Sequence, residues 1–331
     1  MVFAATFLLH VVVVLVVRDR GWDDGAITMA FADTFAHTGR ISITPSSEVV
    51  EGFSSPFWLL VLAGVYRTLP LGFDGMILAA QLLAALCAAL GATLLWSLLR
   101  PFLPRTAILL SIAVFAYAPF LLETANGMEM TALSAVALAI LRLVARPQPR
   151  TWPILALAAL APWIRLEAGG YVLAAAVAMI VLSRDRRRAG ALIVGAVTSL
   201  LALTVARLVI FDSVVPNTIL AKRWPVYGSE TPLQHFAIPA LDFAYAVAPG
   251  VLLAVAAVGL RIPAFRLARI RNRALHRVVA YIAGYLVAVG IFNIAIGYNW
   301  GYHGRMEQSV IALAVVLAVY LAPAAARPLD S

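Results

Sequence analysis

The chain has 331 residues, of which 63% are hydrophobic and 12% charged, with a net charge of +9 and a mean hydropathy of +0.94. That composition excludes a soluble globular domain, and apolar runs that are continuous rather than alternating exclude a transmembrane β-barrel. No soluble domain remains to offer the positive charge to nucleic acid, and Cys87, the only cysteine, lies in an apolar run, so neither a disulfide framework nor a thiolate metal site is available.

Ten spans are predicted, at 2–17, 75–99, 106–122, 129–145, 151–164, 169–183, 189–211, 244–260, 278–296 and 306–325. The first lacks a basic start and a small-residue cleavage site, so it reads as a span and not as a removable signal. It ends in Arg18-Asp19-Arg20, followed by Trp22-Asp23-Asp24-Gly25. Two adjacent carboxylates where a span ends are costly unless charge is the working part. Residues 25–38 read as a short helix with Ile27, Phe31 and Phe35 on one stripe, which puts Asp24 at the N-cap and Asp23 just before it. The positive end of that helix favours an ionised carboxylate, competent as a base or a metal ligand.

The stretch 55–70 is apolar too, and charge decides its place. If it lies along the outer face without crossing, sixteen of the 25 Lys and Arg fall on one side of the membrane and fourteen of the 16 acids on the other. If it crosses, the clusters at Arg100, Arg146 and Arg184–Arg188 move outside, against the positive-inside rule. Residues 55–70 are therefore expected to be juxtamembrane, with both termini cytoplasmic and the acids on the extracytoplasmic face of the plasma (inner) membrane. Residues 151–164 carry Pro153 and Pro162 and are expected to form a kinked or partial helix.

The outer loops hold nearly all the remaining polar residues. Glu123 to Met130 contains Glu129 at the start of a span, where a carboxylate needs a partner. Arg165-Leu166-Glu167 marks another span boundary; an ion pair holding the turn and a substrate contact are both open readings. Residues 212–243 include Asn217 and Lys222, and the last outer loop runs Gly297-Tyr298-Asn299-Trp300-Gly301-Tyr302-His303-Gly304-Arg305. Lys222, Arg305 and Arg165 suit a phosphate at the interface, against the alternative of interfacial snorkelling. An acidic centre beside cations, facing outward where nucleotide donors are absent, suits a sugar delivered on a polyprenyl phosphate. One Asp would accept the proton of an acceptor hydroxyl as it attacks the anomeric carbon.

The order of these motifs resembles the GT-C membrane glycosyltransferases. It is most similar to the branch with the mycobacterial enzyme that adds terminal β-(1→2) arabinofuranose from a decaprenyl-phosphate donor. The shared blocks are Asp23-Asp24, Glu51-Gly52-Phe53-Ser54-Ser55-Pro56-Phe57-Trp58, Gly127-Met128-Glu129, Arg165-Leu166-Glu167 and Val215-Pro216-Asn217-Thr218 through Lys222. Where that family often ends its last outer loop in Gly-Gly-Asp, this chain has Tyr298-Asn299.

The resemblance implies an all-α integral membrane protein, a GT-C-type bundle of about ten transmembrane helices with juxtamembrane helices in the first outer loop. In one respect the chain departs from it: a single domain over 1–331 is expected, without the soluble C-terminal carbohydrate-binding domain of the arabinosyl enzymes. Asp23 and Asp24 are the implied catalytic acids, with Glu51, Glu129, Arg165, Glu167, Asn217, Lys222, Asn299, His303 and Arg305 as substrate contacts. The one cofactor in view is a divalent metal (Ca, Mg or Mn) on Asp24 and Glu129. The donor would be polyprenyl-phosphate arabinofuranose and the acceptor a cell-envelope glycan or glycolipid. Two other readings stand beside it: an inactive subunit or lipid-linked-sugar binder of the same fold, and a transporter.

Overall fold

The computed structural model describes residues 1–18, 23–148, 150–217, 231–259, 273–296, 305 and 307–321. Among these, every regular element is helical. In chain order they are α1 (Val2–Val17), α2 (Asp23–Thr38), α3 (Pro56–Thr68), α4 (Phe73–Leu99), α5 (Ala107–Phe115), α6 (Ala118–Ala125) and α7 (Met130–Ala145). There follow α8 (Thr151–Ile164), α9 (Ala168–Ala178, extended by a π-turn over Met179–Ser183), α10 (Arg186–Phe211), α11 (Pro232–Gly259), α12 (Arg273–Ile296) and α13 (Gln308–Leu321).

A helical segment lies at each of the ten places where a span is expected. Among the described residues, four helices (α4, α10, α11 and α12) are by themselves long and apolar enough to cross a bilayer. The others are shorter apolar helices and the pair α5–α6, bent by 53°. The break falls at Ala116-Tyr117, two residues before Pro119, which lies in the first turn of α6 where its missing N–H costs nothing. His10 of α1 stabilises the break from outside. One ring nitrogen meets Thr124 Oγ1 at 2.8 Å and the other the Phe115 carbonyl at 2.9 Å, a group that the broken helix leaves without its usual partner.

The helix ends sort into two sets. At one end, Arg188 contacts Asp185 and donates to the carbonyls of Arg146 (2.6 Å) and Pro147 (3.1 Å), while Arg277 donates to Val144 O at 3.1 Å. This basic end joins the C-terminus of α7 to the starts of α10 and α12. At the other end meet the C-terminal ends of α6, α8 and α10 and the N-terminal ends of α4, α7, α9 and α13, through the contacts described below. The alternation is that of antiparallel neighbours.

Helix α3 does not run between the two ends. Ser55 N-caps it, accepting from Trp58 N at 3.2 Å, and Pro56 opens it. Trp58 Nε1 then donates to Gly127 O at 2.9 Å, and the far end of α3 lies beside His37 through Tyr66, with 6.3 Å between ring centroids. The helix packs chiefly on α2, so the pair stays at the site end, as charge balance requires.

Candidate functional site

Three arginine–carboxylate clusters form at the site end, each linking segments distant in sequence. In the first, Arg165 Nε donates to Glu167 at 2.7 Å and Nη1 to Glu129 at 3.0 Å and to Ser54 Oγ at 2.9 Å. The local sequence explains the placement: Arg165 caps the C-terminus of α8, while Glu129 and Glu167 occupy the N-caps of α7 and α9, the helix ends that each charge sign favours. Burial works to discharge Arg165, and Glu167 and Glu129 more than offset it, so its pKa lies above the usual arginine value. Glu129 Oε2 and the Tyr171 hydroxyl are buried here without a hydrogen-bond partner.

In the second cluster, Arg305 Nη2 lies 2.9 Å from Asp24 Oδ2 and 3.0 Å from Met128 Sδ, and its Nε lies 3.9 Å from Glu123. Glu123 is fully buried, and its Oε1 accepts from Met130 N at 2.8 Å. Asp24 is the open member: its side chain is 43% exposed. The helix that carries it begins at Asp23, so Asp24 lies in the first turn and not at the N-cap as expected. Gly25 packs this turn closely against Asn126 O, where a Cβ would come within 2.8 Å.

In the third, Arg207 Nε donates to both oxygens of Glu51 at 2.9 and 3.0 Å. Burial pushes the Glu51 carboxyl above its ordinary value, and the charge and hydrogen bond of Arg207 pull it back only in part. Beside this pair an apolar groove of about 270 Å³ opens between α3 and α10, walled by Phe53, Leu59, Leu60, Trp163, Leu203 and Phe211.

The block Glu51–Trp58 is thus a set of ties. Glu51 reaches α10, Ser54 reaches Arg165, Ser55 caps α3 and Trp58 holds the Gly127 turn. Gly127 has φ +66° and would place a Cβ 3.0 Å from Ala80, so the turn that presents Glu129 needs glycine.

Of the expected site residues, Glu129, Arg165 and Glu167 come together, as do Asp24 and Arg305, while Glu51 sits apart with Arg207. Asn217 is exposed at the edge of the described segment. The side chain of Asp23, and Lys222, Asn299 and His303, lie outside the described residues. Neither Arg207 nor Glu123 is singled out from the sequence. A lone arginine near the end of an apolar helix was the available signal, since such a charge requires a partner. Of the two expected metal ligands, Asp24 lies against Arg305 and Glu129 against Arg165, and among the described residues no three His, Cys, Asp or Glu side chains are placed to hold one ion.

These features define an all-α, multi-pass membrane protein with a buried arginine–carboxylate site at one bundle end. No family model and no curated protein matches the sequence. Two solved structures match the fold. The crystal structure of ArnT from Cupriavidus metallidurans bound to undecaprenyl phosphate aligns with a TM-score of 0.63 at 18% identity, covering 96% of this chain and 59% of that one. The apo structure of ArnT from the same organism aligns with a TM-score of 0.58 at 17% identity and the same coverage. The chain therefore spans well under two thirds of the proteins whose fold it shares.

Proposed function

We propose that this chain is a membrane glycosyltransferase that moves a sugar from a polyprenyl-phosphate donor to a cell-envelope glycan or glycolipid on the extracytoplasmic face. The observation that carries the reading is Asp24. It is the exposed carboxylate in a cluster otherwise sealed from solvent, positioned by Arg305 at the membrane end of a fold shared with a protein that binds undecaprenyl phosphate.

In the proposed reaction an acceptor hydroxyl oxygen attacks the anomeric carbon while Asp24 takes its proton. The bond from that carbon to the phosphate oxygen breaks, the polyprenyl phosphate leaves with the electron pair, and the anomeric centre inverts. Arg305 is the described cation nearest this chemistry and would steady the leaving phosphate, with Lys222 as a second proposed phosphate contact. Arg165, occupied by Glu129, Glu167 and Ser54, would instead hold the shell that carries Glu129 toward the sugar. Asn217, Asn299 and His303 complete the proposed substrate contacts, and the groove between α3 and α10 suits the lipid chain. Arabinofuranose is the sugar that the motif order favours. The reaction is written on the side chains alone, and a divalent metal on Asp24 and Glu129 stays part of the proposal, tested by the chelator arm below.

The test is sugar transfer by the purified protein in nanodiscs, with a panel of polyprenyl-phosphate sugars, with and without chelator. Asp24→Asn should lower transfer by about 10²–10⁴-fold, the range of a lost general base, with unchanged thermal unfolding. Wild-type rates in Asp24→Asn would remove Asp24 as the base. The Asp24–Arg305 ion pair also favours a second reading, a binder of lipid-linked sugar in which that carboxylate is structural. Donor binding without turnover by the wild type would select it.

A further inference from the structure

A second cleft, between α1 and α4, lies outside the clusters described above. It encloses about 470 Å³, within the roughly 300–1,000 Å³ of small-molecule sites. Val14 and Leu15 of α1 and Ile77 and Leu78 of α4 give it apolar walls, and Arg18 and Asp74 line it with opposite charges. Both charged residues are exposed at the site end of their helices. Each suits its own helix terminus, Arg18 at the C-cap of α1 and Asp74 in the first turn of α4. The helix ends do not explain why two opposite charges line one cleft without an ion pair to each other or to another described residue.

We propose that this cleft binds a zwitterionic aminophospholipid of the surrounding bilayer, phosphatidylethanolamine in its chemistry. Its phosphodiester lies on the guanidinium of Arg18, which donates to phosphate oxygens. Its primary ammonium donates hydrogen bonds to the Asp74 carboxylate, and its acyl chains follow the apolar walls. A choline headgroup has no N–H to give Asp74, and an anionic glycerol headgroup brings no cation to it. The inner wall connects the lipid to the site. Gln81 lines the cleft and its amide donates at 2.5 Å to the carbonyl of Ala125, the last residue of α6, which lies between Glu123 and Glu129 in the chain.

The test is native mass spectrometry of the purified protein with equimolar phosphatidylethanolamine, phosphatidylcholine and phosphatidylglycerol. The wild type should retain phosphatidylethanolamine about three- to five-fold over each of the others, the ratio that one hydrogen bond (over choline) or one solvent-exposed ion pair (over glycerol) supports. Asp74→Asn should lose the advantage over phosphatidylcholine, Asp74→Glu should keep it, and Arg18→Gln should lower retention of all three. Equal retention of the ethanolamine and choline lipids by the wild type, or an unchanged preference in Asp74→Asn, overturns the proposal.

Discussion

Arg165 carries two carboxylates at once, and removing it should cost more than removing either acid. Arg165→Ala leaves Glu129 and Glu167 buried without a cation, and breaking a buried pair in this way costs about 3–5 kcal/mol. Thermal unfolding in detergent should fall accordingly, and adding Glu129→Gln and Glu167→Gln to the variant should restore much of the loss. Glu51 makes a different prediction, one of pH. Its folded pKa is raised from the ordinary 4.5, burial outweighing Arg207. The folded state then holds this proton more tightly than the unfolded chain does, so stability falls as pH rises from about 4.5 through the folded value and is level above it. The variant Glu51→Gln should lack that slope in unfolding midpoints measured from pH 4 upward; an identical slope would assign it to another group. At this scale the sequence announced which residues were costly but not their partners. Glu51 and Arg207 lie 156 positions apart, and only the packing of α10 against the first loop joins them.

At the scale of elements, the turn before α7 is where most ties meet. Gly127 accepts from Trp58, packs on α4 and precedes Glu129 by two residues. Gly127→Ala combines a positive φ with a contact of 3.0 Å, and should destabilise by more than about 1 kcal/mol while displacing Glu129. Unfolding would report the first effect and transfer activity the second. Helix positions were legible because apolar runs of this length have few alternatives. The bend between α5 and α6 was predicted as a single span, because residues 106–122 show no drop in hydropathy where the backbone breaks. Pro119 was the local sign of it, since it has no N–H to give the Phe115 carbonyl four residues earlier. The start of α2 falls at Asp23 rather than after an N-cap at Asp24, and Gly25 there packs on Asn126, a tertiary contact that no local rule contains.

For the whole molecule, α10 acts as a ruler. Arg188 belongs to the basic end and Arg207 to the site end, 19 residues apart on one helix. At 1.5 Å per residue they stand about 28 Å apart, close to the roughly 30 Å of a hydrocarbon core. The charge count that kept 55–70 at one face agrees with the end on which α3 packs. Sidedness itself is open to a direct test. With Cys87→Ser as background, a cysteine at Asp33→Cys should react with an impermeant maleimide in intact cells, and one at Arg187→Cys only after permeabilisation. The reverse pattern would invert the orientation.

Depth follows from the unequal helices. The mostly buried α7 and α13 have 16 and 14 residues, about 21–24 Å, whereas α4 has 27. Gln81 bonds Ala125 from a position eight residues inside α4, so that helix rises about 12 Å past the floor on which Glu123 and Glu129 stand. The reacting end is therefore walled on the α4 side. Under the proposed activity an acceptor would reach Asp24 from a side other than that of α4.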